Sequence, residues 1–100
     1  MSMPDDALML ALLDRHWRPL RMVPLTQDWR TVVRRLIADE GSCVALFQLR
    51  AKADSPDPRP ADIALTRALH RRLRALDIRL ADHLIVAGDT RFSFRAAGLL

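Results

Sequence analysis

One hundred residues, 11.4 kDa and half of them hydrophobic, suffice for one packed domain and leave no length for a second. Three Gly and six Pro exclude collagen-like and low-complexity chains, and 28% charge beside that apolar share excludes disorder. The formal charge of +4 comes from fifteen arginines and Lys52 against eleven aspartates and Glu40, so a mechanism that needs a glutamate has one candidate and an anionic partner enters as a class to weigh.

The start, Met1-Ser2-Met3-Pro4-Asp5-Asp6, lacks the basic region of a secretory signal, and the apolar run Ala7–Leu13 is too short to span a bilayer. The expectation is a cytoplasmic protein with no membrane partner. Periodicity does not separate helix from strand over Ala7–Leu13, and its Leu, Ala and Met favour helix. The polar break Asp14–Arg18 and the second apolar stretch Leu20–Leu25, with Pro19 and Pro24, favour a hairpin whose second strand lies at an edge. The chain is therefore expected to open on a hairpin.

Trp29, Val32, Val33, Leu36 and Ile37 fall at i, i+3, i+4, i+7 and i+8, one stripe of a helix capped by Thr26 or Asp28 and ended by Gly41. Arg30, Arg34 and Arg35 then face water. Cys43–Leu49 reads as a strand buried on both faces, with Cys43 a small core residue; as the single cysteine it forms neither an intrachain disulfide nor a cysteine zinc cluster, which suits a reducing compartment. Arg50–Pro60 is a loop, since three prolines in five positions allow neither helix nor ladder.

Leu65, Leu69, Leu73 and Leu76 predict a second amphipathic helix from Pro60 to Asp77, with Pro60 in its first turn. Arg67, Arg71 and Arg74 line another face of it, as solvated surface or as an anion-binding row. Ile78–Val86 and Arg91–Arg95 predict two strands joined at Ala87-Gly88-Asp89-Thr90. Hairpin, helix, strand, loop, helix, hairpin makes an α/β (α+β) sandwich, a mixed sheet with two main helices.

The segments Asp54-Ser55-Pro56-Asp57-Pro58-Arg59-Pro60-Ala61-Asp62-Ile63-Ala64-Leu65-Thr66, Leu80-Ala81-Asp82-His83-Leu84-Ile85 and Ser93-Phe94 with Gly98-Leu99-Leu100 are specific. They resemble the RadC-like JAB domain of the MPN/JAMM superfamily, whose members run D-P-x-P into a D-I-x-L-T helix and carry L-D-H-x-I and S-F-x-x-x-G-L-L later. The resemblance covers residues 54–100; before them only the order of elements agrees. It implies a JAB-type mixed sheet flanked by helices. It also implies, in active members, zinc held by two histidines of an H-x-H-P motif and an aspartate, with a neighbouring serine and an upstream glutamate as base, so that a metal-activated water attacks an amide or isopeptide carbonyl.

Aligned without gaps from Asp62, the two histidine positions hold Leu49 and Ala51, the proline position Lys52 and the serine position Arg59. Asp62 alone is kept. His16, His70 and His83 form no H-x-H pair, and the one glutamate, Glu40, lies at the end of the first helix, outside the region where the base is expected. One aspartate does not hold a catalytic zinc, which takes three protein ligands and an open position. Asp62 also suits the third position of its helix, where a carboxylate favours the positive end. A sharper expectation is that Arg50, Lys52 or Arg59 pairs with Asp62 in place of the metal.

Asp82 and His83, adjacent on a strand, point to opposite faces. The resulting expectation is a catalytically silent JAB-fold scaffold or interaction module with no cofactor and no catalytic residue, Leu49, Ala51, Lys52, Arg59 and Asp62 lining a vestigial pocket. It is a single domain over residues 1–100 with no room for the helix-hairpin-helix region of longer relatives. The rival classes are a hydrolase in which Asp62 with Asp54 or Asp57 holds a hard cation, and nucleic-acid binding through Arg67, Arg71 and Arg74. Self-association through the apolar ends is a further partner class.

Overall fold

A computed structural model describes residues 6–38 and 43–100. Strands β1 (Ala7–Leu13) and β2 (Pro19–Pro24) form the hairpin read from the polar break, and helix α1 (Trp29–Ala38) follows. Strand β3 (Cys43–Arg50), helix α2 (Pro60–Arg74) and strands β4 (Arg79–Ala87) and β5 (Thr90–Ser93) complete the chain. The five strands lie in the order β2-β1-β3-β4-β5. Only β3 and β4 run parallel, because α2 carries the chain back across the sheet between them, whereas the short β1–β2 and β4–β5 turns give antiparallel neighbours.

The registers Leu10↔Val23, Leu10↔Leu46 and Val44↔Leu80 put Leu10, Leu12, Val23, Val44, Leu46 and Leu80 on one face of the sheet. Val32 and Leu36 of α1 and Leu69 and Leu73 of α2 pack on that same face, so both helices form one layer and the core lies between it and the sheet. A bulge at Ala81 shifts the register between Val44 and Ala45, and this turns His83 rather than Asp82 toward the helices, opposite Leu46.

Several predicted details change. Ile37 is 57% exposed: of the α1 stripe Val32 and Leu36 are buried and Trp29 packs half-buried against the core. Asp28, not Thr26, caps α1, accepting from Thr31 N and Thr31 Oγ1; Gly41 and Glu40 lie outside the described residues. Strand β3 is not buried on both faces: Leu49 is exposed and Phe47 half-buried.

Helix α2 stops at Arg74, short of Asp77. Asp77 is left-handed (φ 59°), Asp77 N donates to Arg74 O, and Ile78 N donates to Leu73 O while both side chains join the core, the pattern of a Schellman stop. The buried stripe of α2 is Asp62, Thr66, Leu69 and Leu73, with Leu65 and Leu76 half-buried at its margin. Strand β5 ends at Ser93, where Phe94 N donates to His83 O and the fully buried Phe94 ring stacks on the His83 imidazole at 4.2 Å.

Candidate functional site

Alternation along β3 sends Val44, Leu46, Gln48 and Arg50 toward the helices. Two apolar residues thus give way to two polar ones as the strand reaches the start of α2, whose own buried stripe opens with Asp62 and Thr66. The polar ends of the two stripes meet. Gln48, Arg50, Asp62, Thr66 and His83 are all at least nine-tenths buried.

The Arg50 guanidinium is the centre of this cluster. Its Nη2 lies 2.7 Å from Asp62 Oδ2 and its Nε 3.0 Å from Asp6 Oδ2, while Nη1 donates to the carbonyls of Ser55 and Asp57 at 3.2 Å. The side chain is fully buried, and its planar fork holds the proline-rich loop, the entrance of β1 and the start of α2 together. Gln48 Nε2 donates to Asp62 Oδ1 at 2.9 Å and to Asp6 Oδ2 at 2.7 Å. Asp62 Oδ2 also accepts the backbone N–H of Arg59 at 2.8 Å, half of a capping box at the start of α2.

The protonation states follow from these partners. Two carboxylates take both N–H bonds of Gln48, so its Oε1 accepts from His83 Nε2–H at 2.7 Å, and His83 Nδ1 is left to accept from the Thr66 hydroxyl. His83 is therefore neutral. Burial lowers it to about 4, against the weaker upward pull of Asp62 and Asp82. Burial alone would raise Asp62, yet hydrogen bonds from Arg50, the Arg59 backbone and Gln48 outweigh it and hold the carboxyl below its ordinary range. Desolvation likewise works against the Arg50 charge, and its bonds to Asp62 and Asp6 reverse that.

The residues singled out in the sequence fall in different places. Asp62 is at the centre, and of the three basic candidates it is Arg50 whose guanidinium pairs with it. Arg59 contributes its backbone, while its side chain lies 3.9 Å from Asp54. Leu49, Ala51 and Lys52 are exposed, and the strand's alternation turns Leu49 away from Asp62. Arg67, Arg71 and Arg74 are exposed along α2.

Asp82 accepts from Ser93 Oγ, Arg95 N and His83 N, fixing the turn after β5, while His83 faces Thr66 and Gln48 on the other side of the sheet. Ser93 and His83 thus lie on opposite faces of the sheet. Among the described residues no three His, Cys, Asp or Glu side chains converge as a cation site. Asp6, Gln48 and Thr66 were not singled out in the sequence. The signal for two of them was there: Gln48 sits in phase with Val44 and Leu46, and Thr66 is four residues from Asp62 and three from Leu69.

A family model described as the RadC-like JAB domain matches residues 4–99, extending through the first half, where the motifs alone gave only the order of elements. A UPF0758 protein of Rhodobacter capsulatus is 38% identical over 71 residues, covering 71% of this chain and 33% of the relative. One from Aromatoleum aromaticum is 32% identical over 108 aligned positions, 99% of this chain and 48% of the relative. One from Bordetella petrii is 39% identical over 71 residues, 31% of its length. The chain thus spans between about a third and about a half of these relatives.

Proposed function

The chain belongs to the RadC-like JAB family, and we propose that it is a catalytically silent member, a scaffold or interaction module in which hydrogen bonds replace the metal. The observation that carries this reading is the occupancy of Asp62. Both its oxygens accept from donors, and the nearest cation is the Arg50 guanidinium at 2.7 Å.

The family's histidines stand two apart and face the aspartate together. In this fold the two residues that stand two apart and donate to Asp62 are Gln48 and Arg50, so these, rather than Leu49 and Ala51, take the places of the ligands. Neither fits zinc. A guanidinium is a permanent cation with no lone pair to give, and Gln48 has committed its amide nitrogen to two carboxylates and its oxygen to His83. Asp6, a carboxylate upstream of the cluster, has its Oδ2 held by both Gln48 and Arg50, unlike a free base waiting for a water.

The rival cation site of Asp62 with Asp54 or Asp57 has less support, since Asp54 lies toward Arg59 and the Asp57 carbonyl is directed at Arg50. A cytoplasmic setting remains the reading, supported by the single free Cys43. No helix among the described residues is long and apolar enough to cross a membrane.

The test is hydrolysis of an isopeptide-linked and a linear peptide substrate by the purified chain, with zinc added and with chelator. The expected result is no turnover in either condition. Zinc-dependent cleavage abolished by chelator would overturn the proposal.

A further inference from the structure

Both helices pack on one face of the sheet, so among the described residues the opposite face has no helical layer. The parallel pair β3–β4 is central to it, and parallel strands are ordinarily covered on both sides. Register places Met22, Phe47, Leu49, Leu84 and Val86 on this open face. Met22 is 43% and Leu49 47% exposed, and Phe47, Leu84 and Val86 are half-buried. Toward the other end the same face carries the buried Ala11, Leu13, Ala45 and Ala81, and the exposed Trp17 ring lies 4.3 Å from the Arg95 guanidinium. A contiguous apolar surface of this kind marks a contact site.

Its charge says what kind. Arg91, opposite Val86, and Arg79, opposite Cys43, project from the same face, and Arg95 borders it. The carboxylate that the strands place there is Asp82, and its oxygens already accept three hydrogen bonds from Ser93, Arg95 and His83. The face is thus apolar with basic margins. A second copy of the chain would set arginine against arginine across it, whereas an acidic partner would meet complementary charge.

We infer that this face docks an amphipathic helix of another polypeptide, an apolar stripe flanked by Asp or Glu, which supplies the missing layer over β3 and β4. This deepens the interaction-module reading and rests on it, but it is read by binding, independently of any hydrolysis.

The probe is a 20-residue helical peptide with a leucine stripe flanked by glutamates, titrated against the full chain by fluorescence anisotropy, beside the same peptide with lysines in place of the glutamates. The glutamate peptide is expected to bind and to weaken as salt rises, and the lysine peptide to bind at least about tenfold more weakly. Leu49→Asp and Arg91→Glu, both at exposed positions that leave the core intact, are each expected to weaken binding about tenfold. Circular dichroism of each variant confirms the fold, and Leu49→Ser serves where Leu49→Asp does not fold. Equal binding of the two peptides, no binding of the glutamate peptide, or binding unaffected by both substitutions would overturn the inference. So would a dimer of the chain itself that Leu49→Asp splits, because it would give the face to a second copy.

Discussion

Arg50 carries a positive charge with no exposed side-chain surface, and its worth is set by what it leaves behind if removed. Arg50→Met would strand the Asp62 and Asp6 carboxylates, and losing one partner of a buried pair costs about 3–5 kcal/mol. The expected result in urea denaturation is a loss of that size; a loss under about 1 kcal/mol, ordinary for surface pairs, would contradict the burial of the Arg50 side chain. His83 gives a pH signature. Its folded value, about 4, lies below the unfolded 6.5, so the unfolded chain binds the extra proton and stability present above pH 6.5 is lost as pH falls toward 4, by about 3 kcal/mol in all. Asp62, also lowered, adds its loss only at lower pH, as it is protonated. Denaturation at pH 7.5, 6 and 4.5 should show this slope, and His83→Gln should flatten it; an unchanged slope in the variant would assign the effect elsewhere. At this scale the sequence was only partly legible. Asp62 stood out through its motif and Arg50 as one of three basic candidates, but choosing among the three required the strand's phase, which turns Arg50 inward and Leu49 outward.

Elements were more legible than contacts, because periodicity and turn chemistry are local. The stripe of α1, the proline at the start of α2 and the Gly-Asp turn of the last hairpin each named an element that formed. What was displaced had a long-range cause. The bulge at Ala81 and the Schellman stop at Asp77 depend on register and on Ile78 reaching the core beside Leu73, neither of which periodicity encodes. Gly88 tests the last hairpin: it sits at φ +60°, and an added Cβ would lie 2.6 Å from Lys52 Cγ. Gly88→Ala should therefore cost about 1–3 kcal/mol in thermal or urea unfolding, with a neutral result contradicting the turn. Asp77→Gly should act in the other direction, gaining up to about 1 kcal/mol, because a non-glycine residue holds the left-handed stop at φ 59°.

On the scale of the whole molecule, one sheet separates two surfaces with different work. The helical side encloses a fully paired polar centre, and the other side presents apolar and basic residues to solvent. The fold class was legible because element order and the family motifs pointed the same way. The open face was not, because nothing in the order of elements says that both helices cross on the same side. If a guanidinium occupies the place a metal would need, the zinc content of the protein after equilibration with excess zinc and exhaustive dialysis shows it most directly. The prediction is substoichiometric zinc in the native chain. One zinc per chain, lost on Asp62→Ala, would contradict it.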